Sequence, residues 1–249
     1  FEKPENKEIY ELFRTIEIPI LDVVADMELE GDWSAAANFL VAGAVFGKAE
    51  LAGLDTTSLQ ADLSIMDILM DAGASLSQLD GDNGNITVQR APLRAFQVDA
   101  SNCPDLFPVI SVLAAFCQGT SRISGLGRLA NKESDRAKAI LEMLIKMGVE
   151  ASVEQDELVI SGHSLSERLL AGRLLTGGAY TSHHDHRMVM ALKVASLGAD
   201  SPIIIDDETC VSKVAALGAD SPITIDDEEC VAKSFPQFQS VYEGATADK

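Results

Sequence analysis

The richest stretch for chemistry is Asn131-Lys132-Glu133-Ser134-Asp135-Arg136, which opens an apolar-periodic segment. Ala137, Ile140, Leu141, Leu144 and Ile145 recur at helical spacing, which predicts a helix over 134–147 with one face in the core. Lys132 and Arg136 are four apart, and Glu133 and Arg136 three apart, so they can converge within the first turn. Two cations and a carboxylate beside a helix N-terminus suit a doubly charged anion together with a proton transfer. A solvated ion-pair cluster at a helix start is the plainer alternative.

Three further segments carry candidate groups. His183-His184-Asp185-His186-Arg187 holds three His and an Asp, which invites a metal. Against it, side chains alternate in an extended segment, His163 is distant in sequence, and no Cys is close by; no metal is expected. Arg187 matters more, as a cation in the first turn of an apolar helix. Pro104-Asp105-Leu106-Phe107-Pro108 sets a carboxylate between prolines. Capping is its default role, and a carboxyl shielded from water can also act as a base whose pKa is raised by desolvation. Lys233-Ser234-Phe235-Pro236 places a lone cation after a strand and turn, where a surface lysine is the default.

The elements that must position these groups recur along the chain. The first unit reads as a helix over 32–44, a strand over 49–54, a helix over 62–72, and strands over 74–79 and 85–89. The second has a strand over 96–99, a helix over 106–118, a strand over 121–124, the helix over 134–147, and strands over 149–153 and 157–160. A third starts near Ala179, with a helix over 188–197, a strand over 202–205 and a last helix after Pro236. Each unit is βαβαββ, with Gly after its helices as a stop. Three such units suggest pseudo-threefold packing around buried helices. Asp32, Asp105 and Asp185 stand where N-caps belong. If the three helices point the same way, their N-termini make one end attractive to anions.

A second repeat is short and sharp. Residues 193–212 (KVASLGADSPIIIDDETCVS) are followed at once by 213–232 (KVAALGADSPITIDDEECVA), with four differences. One copy should be superfluous to the fold. Residues 1–28 fit neither pattern and read as a linker or the remnant of a missing N-terminal lobe. The opening on Phe1 fits a missing upstream part.

Composition bounds what such a chain can do. With 249 residues and 47% hydrophobic content it can bury a sizeable core. A formal charge of −20 argues against nucleic acid or an anionic membrane as partner, so any anion pocket must be local. No apolar run, 109–117 included, reaches membrane-spanning length. No basic-then-apolar leader is visible. Cys103, Cys117, Cys210 and Cys230 form no CxxC pair and read as buried thiols of a cytoplasmic protein.

Together the segments resemble the EPSP synthase family (3-phosphoshikimate 1-carboxyvinyltransferase). The motifs are GDWSAAANFLVAGA from Gly31, Pro104-Asp105, NKESDR from Asn131, DHRMVM from Asp185 and DDEECVAKSFPQF from Asp226. They run in the family's order over residues 29–238. The resemblance implies an α/β fold. Residues 29–249 would form the C-terminal lobe, an enolpyruvyl transferase-like inside-out barrel lobe of three βαβαββ units with buried helices. It implies phosphoenolpyruvate and shikimate 3-phosphate as substrates, held between this lobe and the missing N-terminal one. Asp105 would contact the shikimate hydroxyl and act as base, and Glu133 would shuttle a proton at the phosphoenolpyruvate methylene. Lys132 would touch shikimate 3-phosphate, while Arg136 and Arg187 would grip the phosphoenolpyruvate carboxylate. Lys233, which Lys213 rivals, would bind its phosphate and help the proton transfers, with His186 in support. No metal or organic cofactor is needed, because fixed cations stabilise the charge. The chain alone is expected to have little activity. A silent anion- or partner-binding lobe, the related transferase acting on UDP-N-acetylglucosamine, and a metal hydrolase are the competing readings.

Overall fold

A computed structural model describes residues 31–79, 85–129 and 135–206. Lys132, Glu133 and Lys233, the second copy of the short repeat and the helix expected after Pro236 lie outside them.

Helix α1 (Trp33–Phe46) is apolar on every side, and every residue of it is buried. A helix without a polar face has to sit inside the protein. Asp32 caps it, its Oδ1 accepting from the backbone N–H of Ser34 at 2.9 Å and of Ala35 at 3.3 Å. Strand β1 (Lys48–Leu51) comes next, then a 3-10 turn (Ala61–Ser64) leading into α2 (Ile65–Asp71). The single helix expected over 62–72 is thus two pieces. Strands β2 (Ser75–Leu79) and β3 (Asn85–Gln89) complete a sheet of order β1-β3-β2, antiparallel throughout.

The next stretch repeats that order with a strand ahead of its first helix. Strand β4 (Gln97–Asp99) leads through a 3-10 turn (Pro104–Leu106) to α3 (Phe107–Ala115), whose nine residues are all buried. The one hydroxyl in that helix, Ser111, donates to Phe107 O at 2.6 Å and so enters the core satisfied. Then come β5 (Gly119–Ser124), α4 (Arg136–Lys146), β6 (Glu150–Glu154) and β7 (Glu157–Gly162). The sheet order is β4-β5-β7-β6, with β4 and β5 parallel and the other pairs antiparallel. Helix α3 is shorter than the expected 106–118, and α4 begins two residues after the expected 134.

Helix α5 (Leu165–Ala171) is not among the elements expected from the sequence. It opens on a capping box in which Ser164 and Glu167 bond each other's backbone N–H groups. Its Arg168 is buried and donates to three carbonyls, of Ala115 (3.0 Å), His163 (3.2 Å) and Arg173 (3.3 Å). The guanidinium also lies 5.4 Å from the centre of the Phe116 ring, so it latches α5 to the end of α3. Strand β8 (Gly178–Tyr180), helix α6 (His186–Ser196) and β9 (Ile203–Ile205) complete the described chain, β8 and β9 pairing in parallel.

Helices α1, α3 and α6 pack against one another. Their C-terminal ends meet where the Phe46 and Phe116 rings stand edge to face at 5.0 Å. Gly198 closes that junction, since a Cβ there would fall 2.5 Å from the Phe116 ring and 2.8 Å from that of Phe46. Cys103 and Cys117 are buried thiols, and burial pushes Cys117 up to about 12. Among the described residues, no helix is long and apolar enough to cross a membrane.

Candidate functional site

The N-terminal ends of α3, α4 and α6 bring four charged side chains together from segments far apart in sequence. Asp105 lies in the 3-10 turn ahead of α3, and it does not cap that helix as expected. With Pro104 starting the turn early, the chain is already helical at Asp105, and its carboxylate goes to a neighbour. That neighbour is Arg136, whose Nη1 donates to Asp105 Oδ1 at 2.8 Å and to Pro104 O at 3.3 Å.

Arg136 is the first residue of α4, behind the N-cap Asp135, and is 1% exposed. It donates from Nε to Asp185 Oδ2 at 2.7 Å and from Nη2 to Asp185 Oδ1 at 3.2 Å. Four of its five N–H groups are thereby accounted for. Burial disfavours its charge, but Asp185 and Asp105 outweigh that and move its pKa up.

Asp185 has no exposed surface and serves twice. It holds the Arg136 fork, and it caps α6 by accepting the Arg187 backbone N–H at 2.9 Å. It is the functional residue that sequence reasoning undervalues, since its position there announces only a cap. The turn that delivers it is strained. His183 and His184 have φ of 55° and 57°, left-handed values that side chains other than glycine adopt at a cost. Asp185 N bonds Ser182 O at 3.0 Å to close the turn. Relief of one left-handed residue, about 1–2 kcal/mol, outweighs the extra freedom glycine gives the unfolded chain, about 0.4–1 kcal/mol. His183→Gly is therefore expected to stabilise the fold by about 0.5–1 kcal/mol in urea unfolding. A loss of stability would mean that the His183 side chain holds the turn.

His186 and Arg187 open α6 and are buried at 8% and 6% exposure. Arg187 Nη2 stands 3.9 Å from Asp105 Oδ2, so Asp105 lies between both arginines. Arg187 Nε and Nη1 are buried, and among the described residues neither has a hydrogen-bond acceptor. The structure thus unites Asp105, Arg136 and Arg187 of the expected set, with His186 next to Arg187 in the first turn of α6. Among the described residues, no group of three His, Cys, Asp or Glu stands close enough to hold a metal ion. The geometry offers an anion one under-used buried guanidinium beside a carboxylate, with a second guanidinium held rigid behind it.

The family profile of EPSP synthase (3-phosphoshikimate 1-carboxyvinyltransferase) matches residues 22–214. The 3-phosphoshikimate 1-carboxyvinyltransferase of Brachyspira hyodysenteriae is 43% identical over 188 residues, 75% of this chain and 42% of that protein. The Aeropyrum pernix enzyme of the same name is 39% identical over 202 residues, 81% of this chain and 44% of that protein. The EPSP synthase structure from Acinetobacter baumannii superposes with a TM-score of 0.67 at 23% identity, covering 87% of this chain and 46% of that one, a likeness of fold. The chain spans about two fifths of the length of the curated relatives it matches. On the profile match and these identities, the chain belongs to the EPSP synthase family.

Proposed function

We propose that this chain carries one half of the site that transfers the carboxyvinyl group of phosphoenolpyruvate to the hydroxyl of shikimate 3-phosphate, releasing phosphate. The observation that carries the reading is Arg187, buried beside Asp105 with two donor nitrogens unmet among the described residues. A buried guanidinium in that condition lowers stability until an anion completes it. The carboxylate of phosphoenolpyruvate is such an anion. Arg136 has one N–H left unless Asp105 lets go. An incoming carboxylate that takes Nη1 would free Asp105 to accept the hydroxyl proton.

In the same reading the hydroxyl oxygen adds to the enol carbon while Glu133 gives its proton to the methylene. Loss of phosphate and return of a methyl proton to Glu133 then restore the double bond. Lys132 contacts shikimate 3-phosphate, Lys233 contacts the departing phosphate, and His186 supports the arginines. Fixed cations supply the charge stabilisation without a metal or organic cofactor. We assign residues 29–249 to an inside-out barrel lobe of three βαβαββ units and 1–28 to a linker or the remnant of an N-terminal lobe. The protein is assigned to the cytoplasm.

Substrates gripped from one side stay solvated and poorly oriented, so the chain alone should bind weakly and turn over little. Calorimetric titration with shikimate 3-phosphate and then phosphoenolpyruvate tests this. Millimolar binding is expected, weakened about tenfold in Lys132→Ala by loss of one charge-assisted contact. Absence of heat at millimolar ligand would sink the reading. Supplying the missing lobe should restore turnover, and a complex that binds yet stays inert would point to a silent anion-binding lobe.

A further inference from the structure

Four consecutive backbone N–H groups define the turn that delivers Asp185. Thr181 Oγ1 accepts from His183 at 3.3 Å, Ser182 Oγ from His184 at 3.2 Å, and Ser182 O from Asp185 at 3.0 Å. These three acceptors lie within the turn itself. The fourth comes from 24 positions away, where Asp206 Oδ1 accepts the N–H of Ser182 at 2.8 Å. Ser182, 1% exposed, is thus engaged through its N–H, its hydroxyl oxygen and its carbonyl.

Asp206 holds this turn to the sheet. Strands β8 and β9 pair in parallel as far as Tyr180 opposite Ile205. One residue on, the Asp206 N–H donates to Tyr180 O at 3.1 Å while its carboxylate takes the Ser182 N–H. A single residue therefore pins the chain on both sides of Thr181, where it leaves the strand. Asp206 is itself exposed and lies outside the apolar core. The turn needs such a clamp, because His183 and His184 are both left-handed and each gains by returning to an ordinary conformation. That gain is of the same order as the net worth of the hydrogen bonds opposing it, so the loss of one of them tips the balance. What moves with the turn is Asp185, whose carboxylate orients Arg136 and accepts the Arg187 N–H.

We propose that Asp206 is a positioning residue of the anion site, acting through Ser182 and the left-handed turn on Asp185, and through Asp185 on Arg136 and Arg187. Its effect on phosphoenolpyruvate binding rests on the proposed function; its hold on Asp185 does not. The end of a peripheral two-stranded sheet is thereby tied to the aim of two guanidinium groups.

Asp206→Ala and Asp206→Asn test it in the full chain, since asparagine keeps the acceptor oxygen and alanine removes it. The first readout needs no ligand: hydrogen exchange of the Arg136 Nε–H, followed by NMR, reports how firmly Asp185 holds the guanidinium. Asp206→Ala should speed that exchange about tenfold, the loss of one such bond expressed as a ratio. The second readout is a phosphoenolpyruvate titration followed in amide spectra, where Asp206→Ala should weaken affinity about tenfold. Asp206→Asn should recover most of both losses. Urea midpoints of parent and variants should lie close together, because Asp206 is outside the core. The proposal is overturned if Asp206→Ala keeps the parent's exchange rate or its affinity. It is equally overturned if Asp206→Asn loses as much as Asp206→Ala, which would make the charge and not the held turn responsible. Loss of cooperative unfolding in Asp206→Ala would also overturn it, since Asp206 would then support the fold as a whole. A parent chain that shows no response to phosphoenolpyruvate would sink the proposed function alone, and the Arg136 exchange would still decide whether Asp206 positions Asp185.

Discussion

Asp185→Ala is expected to destabilise the fold by about 3–5 kcal/mol, the loss typical of a buried ion pair deprived of one partner. The carboxylate has no exposed surface and accepts hydrogen bonds from Nε and Nη2 of Arg136 and from the Arg187 backbone. Its removal leaves Arg136, 1% exposed, with only Asp105 and the Pro104 carbonyl, and strips the cap from α6. Asp185→Asn should cost less, because an amide oxygen can still cap the helix and accept one N–H. Asp185→Ala combined with Arg136→Met should recover much of the loss, since the stranded cation is gone. Urea unfolding followed by circular dichroism reads all three. A single variant within about 1 kcal/mol of the parent would show that Arg136 reaches water or another acceptor, and the account of the site would fail.

That pairing was not legible in the sequence, although both residues were. Asp185 reads as a helix cap and is one, because capping depends on the next two or three residues alone. Its bond to Arg136 spans 49 positions and arises only because α4 and α6 start at the same place. Asp105 shows the opposite failure. Its place ahead of an apolar helix predicts a cap, and the 3-10 turn begun at Pro104 takes it out of register for that role. The buried helices α1 and α3 were visible as apolar runs, and β3 at its observed bounds, since burial on all sides or alternation is written in consecutive residues.

Helix α5 escapes sequence reading for a different reason. Its buried face consists of Leu165, Arg168 and Leu169, and an arginine at a core position hides the apolar period. The local signal is nevertheless present as Ser164 with Glu167 three residues on, a capping box. The short repeat is plain from the residues, yet that residues 197–206 of its first copy line β8 emerges only from the contacts of Asp200, Asp206 and Ile203–Ile205.

Arg187→Met should separate binding from stability, because Arg187 is the one cation of the described cluster that the fold leaves incomplete. Its Nε and Nη1 are buried without acceptors among the described residues, and its Nη2 lies 3.9 Å from Asp105 Oδ2, too far for a hydrogen bond. Unmet buried donors cost about 1–3 kcal/mol, so a methionine of similar length should leave the fold unchanged or stabilise it by about 1 kcal/mol. Affinity for phosphoenolpyruvate should move the other way. One charge-assisted hydrogen bond contributes about 1.5–3 kcal/mol, so its loss weakens binding roughly 10–10²-fold. Arg136→Met should do the reverse in stability, costing about 3–5 kcal/mol by stranding Asp185. Paired urea unfolding and calorimetry on the two variants give the comparison. Equal destabilisation by both would mean that Arg187 is a structural ion-pair partner like Arg136, and the anion site would lose its anchor. Opposite signs would mark Arg136 as the frame and Arg187 as the hand that frame holds out to the substrate.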